Sequence, residues 1–125
     1  MLSGDFFYIT TLDQDNGKIN ASLEIDATHK IFGGHFPGQP VVPGVCMMQM
    51  VKEILESALS KETRLVRADH LKFLTVIDPA ENNMIHAEVK YSIDAEASIK
   101  VVASLLNGSV TYFKMSGVFI FVEKQ

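Results

Sequence analysis

One helical segment among several strand-like runs is the feature that most limits how this chain can fold. Residues 43–59 form the only stretch with the length and pattern of a long helix, and Pro43 stands near the first position, where proline is favoured. Beyond Val51 the stretch is amphipathic, whereas Val45-Cys-Met-Met is apolar on every side. A helix that begins apolar all round has to be covered all round. We therefore predict a central helix, enclosed by the rest of the fold.

Strand-like runs account for most of the remaining sequence. Residues 18–26 alternate between apolar and polar side chains, the pattern of a strand with one buried face. We predict further strands at residues 6–10, 65–77, 84–93, 97–106 and 110–122, a turn at 13–17, and a hairpin at Asn107-Gly108. These elements predict an α+β fold, a single domain over residues 1–125 in which a curved antiparallel sheet of five to six strands wraps the helix. A dimer would pair the exposed edges of such a small sheet.

Composition excludes several classes of protein. A hydrophobic fraction of 47% with 21% charged residues fits a globular chain, and no apolar run approaches the roughly 18 residues that span a bilayer. The first residues lack the pattern of a secretory signal, and one cysteine cannot form an internal disulfide, so we expect a cytoplasmic protein. A net charge of -4 without a basic stripe gives no reason to expect nucleic acid. Because His, Cys and carboxylates show no metal-site spacing, we expect neither a metal nor another cofactor.

A glycine-rich loop carries the residues most suited to chemistry. Gly33-Gly34-His35-Phe36-Pro37-Gly38 fits neither a strand nor a helix, and it leads into the predicted helix start at Pro43-Gly44. Free N–H groups at a helix N-terminus stabilise an anionic oxygen, and histidine is the side chain most easily used as a base near neutral pH. A base beside such a site suits proton abstraction next to a carbonyl group, although a purely structural loop would also account for His35.

The segment Phe32-x-Gly34-His35-Phe36-Pro37-Gly38-x-Pro40-x-x-Pro43-Gly44-Val45 closely resembles the signature of the 3-hydroxyacyl-acyl carrier protein dehydratases of fatty-acid synthesis. A weaker similarity extends over most of the chain, including residues 71–79. The resemblance implies a hotdog fold and the dehydration of 3-hydroxyacyl thioesters, linked to acyl carrier protein or coenzyme A, to trans-2-enoyl thioesters in fatty-acid or polyketide-like lipid synthesis. It also implies a homodimer, a heterodimer with a related subunit, or a trimer of such dimers.

The resemblance also implies roles for individual residues. His35 would take the α-proton of the acyl thioester, and the backbone N–H of Gly44 would hold the thioester oxygen. The family's general acid is a carboxylate fourteen residues after the histidine, but that position is Gln49, which has no proton to donate as an acid. Gln49 would then hold the loop around His35, or contact the substrate hydroxyl or a water molecule. Glu53, one helical turn later, is either an alternative acid or a solvated or ion-paired helix residue.

Two further groups of residues have weaker assignments. Residues around the helix start are expected to contact the substrate or to line the acyl chain, although core packing also explains the methionines: Phe36, Pro43, Val45, Met47, Met48 and Met50. Exposed basic residues would form a docking patch for an acidic carrier protein or a coenzyme A phosphate, or else a solvated strand face: Lys61, Arg64, Arg67 and Lys72.

The remaining reactive side chains are expected to have structural roles. Cys46 fits a small buried residue without thiolate activation. His29, His70 and His86 fit structural or surface positions better than metal ligation.

Three functions remain open from the sequence. The loop motif favours a dehydratase, whereas Gln49 favours a catalytically weakened subunit that completes a partner's site or only holds acyl chains. The third is an acyl thioesterase on the same fold, in which Gln49 would position water or the thioester carbonyl. The fold by itself does not choose among them.

Overall fold

The computed structural model describes residues 2–32 and 41–123. Within these residues a short 3₁₀-helix covers Lys30–Phe32, and the other elements are β1 (Phe7–Asp15), β2 (Lys18–Ile25), α1 (Gly44–Leu59), β3 (Thr63–Phe73), β4 (Met84–Ile93), β5 (Ser98–Asn107) and β6 (Val110–Phe121). The strands form one antiparallel sheet in the order β1-β2-β4-β5-β6-β3. The predicted α+β fold of one long helix and an antiparallel sheet is confirmed, with six strands.

The strands with regular alternation fold as the sequence predicts. In β2 the apolar positions Ile19, Leu23 and Ile25 are buried, and their polar neighbours are more exposed. The β5–β6 hairpin is also confirmed, with Asn107 opposite Val110 and Gly108 at a φ of +58°. Glycine adopts this left-handed conformation without the strain that a side chain would introduce. Alternation and turn chemistry are therefore sufficient to place this part of the sheet.

The predicted turn at residues 13–17 is too long. Asp13 and Asp15 continue β1, opposite Asn20 and Lys18. Only two residues reverse the chain, Asn16 and Gly17, with φ angles of +50° and +77°. A two-residue turn with positive φ matches the twist of paired strands. The polar end of β1 was mistaken for a turn because backbone pairing at a sheet edge does not require apolar side chains.

Strand β3 starts earlier and ends earlier than the predicted residues 65–77. It ends at Phe73, because the N–H groups of Leu74 and Thr75 both donate to the carbonyl of Tyr112 and the chain leaves the sheet edge. Ile77 then accepts a hydrogen bond from the N–H of Val42 at 2.9 Å. Ile77, which is buried, therefore pairs with the segment that leads into the helix instead of extending the strand.

Helix α1 packs its apolar side into the sheet and begins one residue after the predicted start, with Pro43 as the residue that precedes it. Its buried apolar side chains join those of the strands in one core, and the helix members are Cys46, Met47, Met50, Val51, Ile54 and Leu55. Ser60 follows the last helical residue and caps the helix, because it has a φ of +57° and donates its N–H to the carbonyl of Glu56. No helix in the described part of the chain has the length and apolarity needed to cross a bilayer.

The expectation that the helix start is covered on all sides is wrong for the single chain. Val45, in the first turn of α1, is 74% exposed. Large apolar side chains on β3 and the segment after it are exposed as well. Together with Val45, these side chains form what we call the apolar surface. Its members are Val45, Val66, Leu71, Phe73, Leu74 and Val76. An exposed set of this kind typically marks an interaction site.

Candidate active site

Two backbone N–H groups in the first turn of α1 have no partner in the part of the chain that the structure describes. Pro43 accepts hydrogen bonds from the N–H groups of Cys46 and Met47 at 3.0 and 3.2 Å, and no side chain caps the helix. Among the described residues, the N–H groups of Gly44 and Val45 have no acceptor. Both lie at the positive end of the helix dipole, where an anionic oxygen is stabilised. This helix start can therefore hold an oxygen that gains negative charge.

Phe73 lies directly over Gly44. A methyl group added to Gly44 would lie 2.8 Å from Cε1 of Phe73, which is too close for any real contact. The Phe73 ring stacks on Phe113 with 5.0 Å between the ring centroids, and the Phe73 side chain remains 52% exposed. Glycine is thus the residue that lets this aromatic ring approach the helix start. Phe73 is a candidate site residue that sequence reasoning missed, because nothing in the pattern of β3 links it to Gly44.

The segment before the glycine-rich loop is held by local hydrogen bonds. Asp26 accepts hydrogen bonds from the hydroxyl and the N–H of Thr28, and these contacts lower the pKa of Asp26. His29 accepts the N–H of Ile31 at Nδ1, so Nε2 carries the proton in the neutral ring and donates to Asp5 at 3.1 Å. His29 therefore has the structural role that the sequence suggested.

Both ends of the loop are packed in the core. Phe32, at its start, is buried and its ring lies 5.5 Å from that of Phe6, centroid to centroid. Val42, at its end, is buried and pairs with Ile77. His35 and Phe36 lie outside the described residues, so their assigned roles remain predictions.

Gln49 and Glu53 form a hydrogen-bonded pair on successive turns of α1. Nε2 of Gln49 donates to Oε2 of Glu53 at 2.9 Å. The carboxylate also accepts the backbone N–H of Leu2, at 3.0 and 2.8 Å from its two oxygens, and that of Ser3 at 2.7 Å. Glu53 is only 1% exposed, whereas Gln49 is half-buried.

The expectation that Glu53 is solvated is wrong, and no ion pair holds it among the residues that the structure describes. A turn of the chain at residues 2–7 covers it and satisfies both carboxylate oxygens with N–H donors. The backbone donors come from residues about fifty positions away, and backbone N–H groups leave no signal in a sequence pattern. The sequence shows only the i, i+4 spacing of Gln49 and Glu53, which places the two side chains on neighbouring turns of one helix face.

The other predicted site residues are spread over the helix start. Pro43 and Met48 are half-buried, Val45 is exposed, and Met47 and Met50 belong to the core. The methionines other than Met48 are thus placed for packing. Cys46 is also buried, as expected, and burial raises the pKa of its thiol.

The basic residues do not form one continuous group. Arg67 donates to Asp69 at 2.7 Å, and the Lys61 ammonium lies 5.1 Å above the Phe121 ring. Lys72, in contrast, stands directly opposite Lys114 in the β3–β6 pair, immediately before Phe73. Like charges in direct opposition are unfavourable unless an anion lies nearby.

A groove of about 970 Å³ lies at the other end of α1. Its lining includes Glu53, Glu56, Glu62, Glu96, Lys61 and Phe121. Its carboxylates do not suit a ligand with an anionic carrier, and it does not include Gly44 or Gln49. The helix start remains the better candidate site.

Comparison with protein families gives one match that covers most of the chain. Residues 11–105 match the ApeI-like family, described as ApeI dehydratase. A curated relative, the 3-hydroxyacyl-acyl-carrier-protein dehydratase FabZ of Rickettsia felis, is 30% identical over an alignment of 82 residues that covers 59% of this chain and 57% of the relative. The match thus spans a little over half the length of such relatives.

Solved structures share the fold. The dehydratase heterocomplex ApeI:P of Xenorhabdus doucetiae is similar with a TM-score of 0.71 and 19% identity over 90% of this chain and 96% of that chain. A structure from Ralstonia eutropha, described as a putative thioesterase, is similar with a TM-score of 0.63 and 14% identity over 93% of this chain and 84% of that chain. At these identities the similarity shows the fold alone, and the hotdog arrangement of one helix and a six-stranded sheet is confirmed.

The buried thiol gives a test that needs no substrate. Because burial raises the pKa of Cys46, the thiolate fraction is small and alkylation of the folded chain by iodoacetamide should be at least about tenfold slower than alkylation of the urea-unfolded chain. The single cysteine makes mass spectrometry of the intact chain a direct readout. Equal rates in the folded and unfolded chains would show that Cys46 is accessible and reactive.

Proposed function

The chain belongs to the ApeI-like dehydratase family, and on that basis we propose that it acts on 3-hydroxyacyl thioesters, removing water to give trans-2-enoyl thioesters in lipid biosynthesis. The observation that carries the proposal is the uncapped start of α1, where the N–H groups of Gly44 and Val45 have no acceptor in the described residues. The dehydratase-like loop with His35 leads directly into this helix start. A base and an oxyanion site are thus joined by a few residues.

The proposed chemistry begins with proton transfer from the α-carbon to His35. The electron pair of the broken C–H bond moves toward the thioester carbonyl, whose oxygen gains negative charge. The Gly44 N–H and the helix dipole stabilise this oxygen, and a donor in such a position typically contributes a factor of about 10²–10³ in rate. The electron pair then forms the double bond as the C–O bond to the 3-hydroxyl breaks.

Departure of the hydroxyl is the step that this chain supports least. The leaving oxygen needs a proton, and an amide such as Gln49 has none to give, so the proton that His35 took from the α-carbon has to reach this oxygen, directly or through water. General-acid catalysis typically contributes about 10²–10⁴ in rate, so a site with Gln49 opposite the hydroxyl would be slow. We propose that Gln49 contacts this hydroxyl. Glu53 is less suited to the role of acid, because N–H donors occupy both of its oxygens.

Substrate contacts are proposed around the open helix start. Pro43, Val45 and Met48 would contact the acyl thioester together with Phe36. Phe73 joins this group, since its half-exposed ring lies over Gly44. A thioester there would lie beside the ring, because the ring is already in contact with Gly44. The acyl group is carried by coenzyme A or by a carrier protein. The positive charge of Lys72, beside Phe73, would attract the phosphate of either carrier.

The apolar surface supports a dimer as the working form. Strand β3 is an edge strand, and Val66, Leu71 and Phe73 on it are exposed together with Leu74 and Val76. Exposed strand edges and apolar side chains are both stabilised by pairing with a second chain. We propose that a second copy or a related subunit covers this surface, and that Gln49 of one subunit serves the site that contains His35 of the other.

A second candidate is a weakened subunit of a hetero-oligomeric dehydratase, and Gln49 is the observation that favours it. A related subunit with Glu or Asp at that helix position would complete the site that contains this chain's His35. The reciprocal site would pair Gln49 with the partner's histidine and remain impaired. The heterocomplex of Xenorhabdus doucetiae makes such an assembly a reasonable expectation for a chain of the same fold.

Restoring the acid should strengthen dehydration. If Gln49 stands at the acid's position, Gln49→Glu should raise the rate of enoyl formation from a 3-hydroxyacyl thioester by about 10²-fold. His35→Ala in the same background should remove that gain, because no base remains. His86→Ala is the matched control: this half-buried histidine on β4 is outside the proposed site, and its replacement should leave the rate unchanged. Loss of activity in Glu53→Gln together with no gain in Gln49→Glu would assign the acid to Glu53.

A shared site can be tested by mixing two impaired variants of this chain. Subunits that keep His35 and Gln49 lack the acid, and subunits with His35→Ala and Gln49→Glu lack the base. A mixed dimer contains one complete site. After subunit exchange, a one-to-one mixture should reach about a quarter of the activity of the Gln49→Glu protein, since half of the dimers are mixed and each has one such site. Native mass spectrometry would verify the exchange. Activity equal to the sum of the two separate proteins would place the whole site within one subunit.

A further inference from the structure

Glu53 is held in place by the backbone of a distant part of the chain. The N–H groups of Leu2 and Ser3 approach its two oxygens at 2.7–3.0 Å. These donors are themselves fixed, because the carbonyl of Leu2 accepts the N–H of Phe6 at 2.8 Å and both Phe6 and Phe7 are completely buried. The carboxylate is therefore oriented by the core.

This carboxylate determines which way the Gln49 amide faces. An amide has a donating NH₂ group and an accepting oxygen, whereas an ionised carboxylate can only accept hydrogen bonds. The NH₂ group must therefore face Glu53, as it does at 2.9 Å, because the opposite orientation would bring two oxygens together. Oε1 of Gln49 then points away from Glu53, and it has no partner among the described residues.

Gln49 lies where the covered part of the helix meets the open part. Glu53, one turn toward the C-terminus, is covered by residues 2 and 3, and Val45, one turn toward the N-terminus, is 74% exposed. The three residues share one helix face. Gln49, whose Oε1 has no partner among residues 2–32 and 41–123, thus stands at the border of the open helix start.

We propose that Glu53 is a positioning residue, which fixes the Gln49 amide so that the substrate meets a hydrogen-bond acceptor at the 3-position. The inference rests on the proposed function and adds that the site distinguishes ligands by the group at their 3-position. A 3-hydroxyl can donate its proton to Oε1 of Gln49, whereas a 3-oxo group can only accept and would face another oxygen. The site should therefore select 3-hydroxyacyl over 3-oxoacyl ligands.

The test compares two unreactive ligands that differ only at the 3-position. Amide-linked pantetheine mimics of a 3-hydroxyacyl and a 3-oxoacyl thioester would be titrated calorimetrically against the full-length protein. One hydrogen bond exchanged for an oxygen–oxygen contact should give at least about a fivefold preference for the 3-hydroxy ligand.

Glu53→Gln should abolish or reverse this preference. The new side chain has one accepting oxygen, which the N–H groups of Leu2 and Ser3 will occupy, so its NH₂ group faces Gln49 and turns that amide around. Glu56→Gln is the matched control, since Glu56 accepts the backbone N–H of Thr63 at 2.6 Å without a recorded contact to Gln49. This variant should keep the preference. Gln49→Leu, which leaves the contacts between Glu53 and residues 2 and 3 intact, should lose it.

The outcomes separate the two proposals. An unchanged preference in Glu53→Gln or in Gln49→Leu would overturn the role of Glu53 while leaving the proposed function intact. An equal loss in Glu56→Gln would also overturn it, since the effect would then be a general loss of stability. Failure of the unaltered protein to bind either ligand would contradict the proposed function, and the positioning role with it.

Discussion

A helix cannot pair the N–H groups of its own first turn, and in this chain that constraint organises the site. Within residues 2–32 and 41–123 no side chain caps the start of α1, and Val45 in its first turn is exposed. Gly44 has no side chain to fill the space, so Phe73 lies over it. The same opening that would serve as the proposed oxyanion site also leaves Val45 exposed. A ligand would accept hydrogen bonds from the N–H groups of the helix start, and a second subunit would cover the apolar surface.

The arrangement of Gln49 and Glu53 along α1 has a structural explanation. Glu53 accepts the N–H groups of Leu2 and Ser3, so its carboxylate holds the N-terminal turn against the helix. Gln49, four residues earlier, is linked to the same carboxylate. A carboxylate at position 49 would place two acceptors side by side, with no donor between them. Gln49→Glu therefore has two effects to separate, a gain of the acid and a loss of the hydrogen bond to Glu53.

Much of the fold could be predicted because its signals are local. Alternation placed β2 and β4, Asn107-Gly108 placed the β5–β6 hairpin, and the apolar pattern after Pro43 placed α1. The errors arose where distant groups decide the structure. The end of β3 depends on the carbonyl of Tyr112, and the burial of Glu53 depends on backbone donors of residues 2 and 3.

The candidate site is likewise predictable from the sequence only where its signals are local. Gly44 at the helix start followed from the loop motif and from the position of Pro43, whereas the ring of Phe73 over Gly44 is a tertiary contact with no sequence signal. The exposure of Val45 was missed for a related reason, because an apolar pattern shows that a residue needs cover but does not show which chain provides it.

The most direct test of the account follows both products that the fold can generate from one substrate. The purified protein would be incubated with a 3-hydroxyacyl thioester while enoyl absorbance and free thiol are recorded in parallel. Elimination at the start of α1 predicts slow enoyl formation with no thiol release above background. Thiol release without enoyl formation would contradict the account and would assign the site to thioester hydrolysis.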